Sequence, residues 1–303
     1  MKSLAKSVLL FIFLCFINNQ MLAQQTAREI LKQKTENELK QIVAQTPSLV
    51  GLMAVDLKTG ESIAVNSDMQ FAQASAIKIP ILMEVFKQAH EKKFSLSDLR
   101  SLQPADIVGG SGILNAMTDP VSLSIRNLCV LMIGLSDNTA TNTLINLVGM
   151  QNINNTMRSL GFHKTKVQRK MIDQAASLRN EENISSPADA VAILKLLYDG
   201  KFIDQANSEE IVSILRKNPR ENSKIAKALP AQIKLGFKPG GMGGVSTEWA
   251  IVYLPNRPYA LAVMENYKTA NSTRPDVFEA ISKSLFHYFS ILKANQYGVI
   301  LEN

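Results

Sequence analysis

Cysteine is scarce in this sequence, which has only Cys15 and Cys129 among 303 residues. If Cys15 is removed with a leader segment, one thiol remains and no internal disulfide can form. Cys129 lies in the apolar segment "NLCVLMIGL", so we expect a buried thiol there. Histidine is also rare, and the three histidines are scattered at positions 90, 163 and 287. This distribution predicts neither a Ser-His-Asp triad nor a metal cluster, and we expect no cofactor.

Long apolar runs are absent except near the N-terminus. Two lysines precede the run Val8 to Ile17, and "NNQMLA" follows it and ends in the small residue Ala23. This layout predicts a cleaved secretory signal peptide over residues 1–23 and a periplasmic or secreted protein without a stable membrane span. Lipidation of Cys15 is not expected, because Leu14 precedes it and the cysteine lies inside the apolar run.

A strong excess of one charge is also lacking. Without the leader, 31 basic residues face 26 acidic ones, a net charge of +5. The densest basic run, His90 to Lys93, is typical of a solvated helix end. We therefore expect no nucleic-acid partner.

The order of the predicted elements defines the fold class. The sequence predicts a helix over 26–46, a hairpin formed by "LVGLMAVDL" and "SIAVN", and a mainly helical region over 76–200. Strands return with "AQIKLGF", "EWAIVYL" and "YALAVMEN", and a last helix covers 275–293. The two β regions must join into one antiparallel sheet, because neither is large enough alone. This predicts an α+β sandwich formed by one domain, residues 24–303. Its sheet part covers about 24–74 and 230–303, its helical part covers about 75–229, and a cleft lies between them.

Three short motifs occur in order along the chain. Ser75 and Lys78 open the helical region, "SDN" follows at Ser136 to Asn138, and "KPGG" starts at Lys238 at the end of a predicted strand. Together they resemble the active-site motifs of the penicillin-recognising serine hydrolases, and specifically of the class A β-lactamase family. The resemblance covers residues from about Leu49 to the C-terminus. It implies the β-lactamase/transpeptidase-like fold, with an antiparallel sheet flanked by the terminal helices and a mostly helical half.

The chemistry of these residue types agrees with that resemblance. A serine hydroxyl is a weak nucleophile until a base takes its proton, and residues i and i+3 share one helix face, so Lys78 can serve Ser75. Burial beside another cation, such as Lys238, lowers the pKa of a lysine. Ser136 can relay the proton to a leaving nitrogen. The alternative for Ser75 is an ordinary helix N-cap, and "SDN" can likewise be a helix cap.

The resemblance also implies how a substrate is bound. Asn138 binds the acyl side-chain amide, and Gly240 and Gly241 of the third motif contact the substrate, with the Gly241 N–H as an oxyanion donor. An earlier "KTG", Lys58 to Gly60, lies in the predicted hairpin turn and is assigned no catalytic role.

The sequence departs from the family in two places. The loop that carries the water-activating glutamate reads "RKMIDQAASLRNEENISSP", with Lys170 or Met171 at the position of the glutamate. Asp173 is the nearest acid, and it is either the water activator or a loop-stabilising aspartate. Pro239 and Gly241 also replace hydroxyl residues that would hold a substrate carboxylate.

We therefore expect an exported serine β-lactamase that turns over slowly. One alternative is a D-alanyl-D-alanine carboxypeptidase or penicillin-binding protein, and another is a non-catalytic penicillin-binding-like protein. The partner is a small β-lactam or a peptidoglycan stem peptide, and a monomer is the expected state.

Overall fold

The computed structural model describes residues 27–269 and 276–292, so the predicted leader lies outside the described residues. The strands are β1 (Leu49–Asp56), β2 (Ser62–Val65), β3 (Phe71–Ala72), β4 (Leu99–Ser101), β5 (Ser122–Ser124), β6 (Ile184–Ser185), β7 (Leu235–Met242), β8 (Val245–Val252) and β9 (Tyr259–Asn266). The helices are α1 (27–45), α2 (Lys78–His90), α3 (Ile125–Gly134), α4 (Asn138–Val148), α5 (Met150–Ser159), α6 (Gln174–Leu178), α7 (Pro187–Tyr198), α8 (Gln205–Leu215) and α9 (Val277–Ile291). Within the described ranges no helix is long and apolar enough to cross a membrane.

The first and last β regions form one five-stranded antiparallel sheet. Its strand order is β2-β1-β9-β8-β7, so the N-terminal hairpin pairs with the last strand in the sequence. The central strands β8 and β9 are buried on both faces along nearly their whole length, and β9 is mostly apolar, whereas β8 also buries polar residues such as Thr247 and Glu248. Strand β7 lies at one edge of the sheet, beside the segment that carries Ser75.

Each face of the sheet is covered by different helices. One face packs against α1 and α9, with Leu39, Phe278 and Leu285 in its core. The opposite face packs against the helical half, whose core includes Phe86 of α2 and Leu194 of α7. This arrangement is the predicted sandwich, and the burial of both faces supplies most of its hydrophobic stabilisation.

Some boundaries differ from the sequence prediction. Strand β7 continues through the whole third motif to Met242, because its backbone pairs with β8 up to the Met242–Val245 pair. Helix α2 begins at Lys78, and Ser75 lies in a 3₁₀ turn, Ala74–Ile77. Two small two-stranded sheets, β3-β6 and β4-β5, also form outside the main sheet. The early "KTG" lies in the turn between β1 and β2, where Gly60 has a φ of 78°.

Candidate active site

The turn that carries Ser75 is packed directly against strand β7. Ser75 is half-buried and follows Ala74, whose φ of 44° lies in the left-handed region that most residues avoid. A Cβ atom at Gly240 would lie 2.6 Å from the Gln73 carbonyl oxygen and 2.8 Å from the Ala76 nitrogen. Only glycine fits between the two segments, so Gly240 sets how closely the serine turn approaches the strand.

A buried glutamine, Gln73, holds this turn in place through hydrogen bonds. The Gln73 amide oxygen accepts a hydrogen bond from the Trp249 indole N–H at 2.9 Å, and the Thr247 hydroxyl donates to the Gln73 carbonyl oxygen at 2.9 Å. The Gln73 N–H donates to the carbonyl oxygen of Asn183 at 2.8 Å. The residue is fully buried, so these bonds replace water contacts and tie the serine turn to β8 and to the loop before β6. The sequence contained no signal for this role.

Lys78 projects from the first turn of α2 into a buried polar cluster. Its Nζ atom lies 2.7 Å from the Ser136 carbonyl oxygen, 3.1 Å from Ser136 Oγ and 3.0 Å from Asn138 Oδ1. Within the described chain no hydrogen bond joins this amine to Ser75. Burial, and next the charge of Lys238, hold the pKa of Lys78 well below its usual value, while the charge of Asp137 opposes that shift. The amine is therefore suited to exist in its neutral, basic form.

Ser136 is the residue that both lysines contact. Its Oγ atom lies 3.1 Å from Lys78 Nζ and 3.1 Å from Lys238 Nζ, and its φ of 54° is left-handed. The next residue, Asp137, caps α4 by accepting from the Ala140 N–H, and it also accepts from two backbone N–H groups of the 113–114 segment. The predicted cap is thus Asp137, while Ser136 and Asn138 point their polar atoms at Lys78.

Lys238 reaches the same cluster from the edge strand. It is fully buried, and burial lowers its pKa to about 7, with the charge of Glu248 acting in the opposite direction. Glu248 on β8 is also fully buried, and burial raises its pKa to about 7. Its carboxylate accepts from the Ser223 hydroxyl and from the Lys224 N–H at 2.9 Å. No motif in the sequence points to Glu248.

Two adjoining cavities meet at Ser75, and both also contact Ser111, Gly241 and Met242. The loop-side cavity is bounded by the 169–183 loop, whose lining residues include Arg169, Met171, Asp173 and Glu182. The strand-side cavity is bounded by β7, β8 and the 218–224 segment, whose lining residues include Lys224, Lys238 and Ser246. A ligand that contacts Ser75 can therefore extend in two directions.

The two positions predicted for the loop glutamate, Lys170 and Met171, differ in their contact with the loop-side cavity. Met171 lines the loop-side cavity and is 7% exposed, whereas Lys170 does not line it. The side chain of Asn142 holds the Met171 backbone on both sides, accepting from its N–H at 2.9 Å and donating to its carbonyl oxygen at 3.3 Å. Asp173 is exposed at the start of α6, where it accepts from the Ala176 N–H at 3.0 Å. Its role as a water activator stays a prediction.

The two ends of the 169–183 loop are joined by an ion pair and by the side chain of an asparagine. Arg169 forms an ion pair with Glu182 at 2.8 Å. The amide of Asn183 accepts from the Gln168 N–H at 2.7 Å and donates to the Arg169 carbonyl oxygen at 3.1 Å. The ion pair therefore closes the loop, and the asparagine holds its backbone.

Other sequence predictions concern residues away from the cavities. Cys129 is fully buried in α3, and burial raises the pKa of its thiol to about 12. Among residues 27–269 and 276–292, no three His, Cys, Asp or Glu side chains are grouped so that they could hold a metal ion.

An antiparallel sheet between terminal helices and a helical half, with a serine–lysine cluster at the junction, defines a β-lactamase/transpeptidase-like protein. The β-lactamase from Sphaerobacter thermophilus has this structure, with a TM-score of 0.78 and 28% identity over 84% of this chain and 97% of that one. PBP-A shares the fold with a TM-score of 0.77 and 24% identity over 86% and 96% of the two chains.

Sequence comparison supports the same assignment. Residues 34–289 match the model of the beta-lactamase enzyme family. The β-lactamase ROB-1 of Haemophilus influenzae is 28% identical over 269 residues, which cover 87% of this chain and 86% of that protein. The chain belongs to the class A β-lactamase family.

Proposed function

We propose that this protein is a serine hydrolase that opens β-lactam rings through an acyl-enzyme at Ser75. The observation that carries the proposal is the buried Lys78 amine, which lies between Ser136 and Asn138 with a strongly lowered pKa. A neutral amine next to a hydroxyl at the mouth of a cavity is the arrangement that activates a serine nucleophile.

Acylation proceeds by a proton transfer and an attack. Lys78 takes the Ser75 hydroxyl proton as Oγ attacks the carbonyl carbon of the substrate. The carbon–nitrogen bond then breaks, and the leaving nitrogen receives a proton from Ser136 Oγ, which recovers one from Lys78. A neutral amine has two N–H groups and one lone pair, so one of its three contacts can be a hydrogen bond received from the Ser136 hydroxyl. In free enzymes such catalytic hydrogen bonds are often looser than in the complex, which accounts for the missing contact between Lys78 and Ser75.

The same cavities supply groups that bind the rest of the substrate. In this proposal the N–H group of Ser75 in the turn and that of Gly241 on the edge strand bind the developing oxyanion. Asn138 lines the loop-side cavity, where an acyl side chain would lie, and Gly240 allows the close approach of strand and turn. The Lys238 ammonium stabilises negative charge next to Ser136.

Hydrolysis of the acyl-enzyme is the slow half of the proposed reaction. Of the two positions predicted for the loop glutamate, Met171 lines the cavity, and its side chain cannot accept a proton from water. Asp173 is the candidate for that role, and its carboxylate already accepts from Ala176. We therefore expect acylation to be faster than deacylation.

A second candidate function is that of a D-alanyl-D-alanine carboxypeptidase or penicillin-binding protein. The apolar side chain of Met171 favours this candidate, because it cannot activate water and the penicillin adduct should therefore persist, as expected of a penicillin-binding protein. A variant of PBP-A, which shares this fold, has been solved as an acyl-enzyme complex with penicillin-G. In this candidate, stem-peptide substrates are cleaved by the same Ser75 and Lys78.

Intact-protein mass spectrometry with benzylpenicillin tests the proposal. The wild type should gain the mass of the drug and Ser75→Ala should not. Loss of the adduct within minutes supports the β-lactamase, and an adduct that persists, together with release of D-alanine from a stem peptide, supports the second candidate. A wild type that never gains the mass would contradict both enzymes and leave a non-catalytic binding protein.

We also propose that the protein is exported and that its leader is removed. The support is the sequence of residues 1–23, which lie outside the described residues. Expression of the full chain should give a periplasmic or extracellular product that starts at Gln24, as measured by mass spectrometry of its N-terminal peptide. A product found only in the cytoplasm with an intact leader would contradict this proposal.

A further inference from the structure

Gln73, two positions before the nucleophile, has a fully buried side chain that contacts strands β3, β6, β8 and β9. Its amide oxygen accepts from the Trp249 indole N–H at 2.9 Å. Its amide nitrogen lies 2.9 Å from the Phe71 carbonyl oxygen, 3.4 Å from the Ser185 carbonyl oxygen and 3.1 Å from Met264 Sδ. A buried amide whose oxygen and nitrogen both have partners is held in one orientation. The side chain therefore fixes the chain just before the serine turn.

The backbone of Gln73 is held as well. Its carbonyl oxygen accepts from the Thr247 hydroxyl at 2.9 Å and from the Ala76 N–H at 3.0 Å. Its N–H donates to the carbonyl oxygen of Asn183, at the end of the 169–183 loop, at 2.8 Å. Movement of Gln73 would break bonds to β8, to the serine turn and to this loop. Buried hydrogen-bonding groups are costly to leave unpaired, so the residue keeps its place.

Ala74, which connects Gln73 to Ser75, has an unfavourable backbone conformation. Its φ of 44° lies in the left-handed region, and alanine has no polar side chain that could stabilise this conformation locally. Such conformations persist only where the surrounding structure over-determines them. The bonds of Gln73 hold one side of Ala74, and the 3₁₀ turn holds the other. The strain is thus maintained directly beside the nucleophile.

We propose that Gln73 is a positioning residue for the reaction: its buried amide holds Ala74 in the left-handed conformation and so directs Ser75 at the substrate carbonyl. The alternative is a core glutamine that contributes only to folding. A positioning residue changes the rate at which bound substrate reacts, whereas a core residue changes only the stability. The inference rests on the proposed acylation of Ser75 and extends it to a residue outside the three motifs.

The test measures acylation by benzylpenicillin over a range of drug concentrations, with quenched-flow sampling and intact-protein mass spectrometry. Gln73→Leu keeps the approximate size of the side chain and removes its hydrogen bonds. Its limiting rate of acylation should fall about a hundredfold, which is what a misplacement of about 1 Å can cost. The half-saturating concentration should change less than about threefold, because the groups that bind the drug are unchanged. Trp249→Phe, which removes one of the hydrogen bonds, should lower the limiting rate about tenfold.

A second substitution tests whether the strain at Ala74 is the link. Glycine adopts a positive φ without steric cost, so Ala74→Gly should keep the turn accessible when the bonds of Gln73 are lost. In the Ala74→Gly background, Gln73→Leu should therefore lower the limiting rate only about tenfold. If Gln73 only supports folding, Gln73→Leu should leave the limiting rate of the folded protein unchanged in both backgrounds.

Gln88→Leu is the matched control, because it removes a second buried glutamine, from α2. The Gln88 amide donates to Glu84 at 2.7 Å and to the Val148 carbonyl oxygen at 2.8 Å, and these residues do not line either of the two cavities at Ser75. This variant should lose stability but keep its limiting rate within about twofold of the wild type. Thermal melting identifies a temperature at which the variants are folded, and the rates are compared there.

An unchanged limiting rate in folded Gln73→Leu and Trp249→Phe would overturn the inference, as would an equal fall with and without Ala74→Gly. If Gln73→Leu does not fold, the rate of Trp249→Phe alone decides. A wild type that is not acylated at any drug concentration would overturn the proposed function and this inference with it. An acylated wild type with unaffected variants would overturn the inference alone.

Discussion

Replacing Met171 by glutamate should shorten the life of the penicillin adduct. The Asn142 side chain holds the backbone of residue 171 on both sides, so the backbone should keep its position when the side chain changes. The Met171 side chain lines the cavity that contacts Ser75. A glutamate side chain has a similar length and would bring a carboxylate to the same wall, where it can accept a proton from the attacking water.

The magnitude follows from the usual contribution of a general base. A positioned base accelerates a step by about 10² to 10⁴-fold. We expect the lower end, about a hundredfold or about 2.7 kcal/mol, because the cavity wall was not shaped for a carboxylate. The substitution also places an acid where Met171 is 7% exposed, which should cost roughly 1–3 kcal/mol of unfolding free energy. A folded protein with a melting temperature lowered by several degrees is the expected product.

The assay is the decay of a preformed benzylpenicillin adduct after removal of free drug. Met171→Gln is the matched control, because it has nearly the same shape and no basic carboxylate. Met171→Glu should lose the adduct about a hundred times faster than Met171→Gln, and adding Asn142→Ala should cancel most of the gain. Equal decay in folded, fully acylated Glu and Gln variants would refute the placement of residue 171 beside the reacting ester.

Two further predictions concern residues of the paired strands β7 and β8. The acylation rate should fall as pH rises through about 7, because Lys238 loses its positive charge there. Glu248→Gln should move this alkaline limb of the pH profile to lower pH, because it removes the charge that raises the pKa of Lys238. An alkaline limb that stays in place in the variant's pH profile would contradict the coupling. Gly240→Ala should slow acylation at least tenfold, because the added methyl group would lie 2.6 Å from the Gln73 carbonyl oxygen and force the serine turn away from β7. Fluorescent penicillin labelling measures the second effect, and an unchanged rate in the folded variant would show that the turn can shift without loss.

The sheet and the helical half were predictable because their signals are periodic. Strands such as "YALAVMEN" and helices such as "PADAVAILKLLY" repeat apolar residues over enough positions to identify their type. The closure of the sheet followed from the need to bury two short β regions. Local geometry was less accessible, since the start of α2 at Lys78 depends on a 3₁₀ turn held by tertiary contacts.

The motif residues that meet in space were also predicted, but the buried polar residues that hold them in place were not. Ser75, Lys78, Ser136 and Lys238 stand in recognisable motifs. Gln73, Asn142 and Glu248 do not, because a single buried polar side chain leaves no pattern in the sequence. Their roles depend on which partners the fold brings to them. The closing ion pair of the loop was missed for a related reason, since no motif in the sequence marks Glu182 as the partner of Arg169.

The distribution of these supports separates the two halves of the proposed reaction. The groups for acylation lie on α2, α4 and β7 or directly beside them, and buried hydrogen bonds of Gln73, Asp137 and Glu248 hold their surroundings in place. The groups that would activate water lie on the 169–183 loop, where Asp173 is exposed and the largely buried Met171 also lines the cavity. Loops tolerate substitution better than packed elements do. A change in this loop can therefore convert a long-lived adduct into a hydrolysed product without altering how Ser75 is acylated, and the lifetime of the adduct distinguishes the two candidate functions.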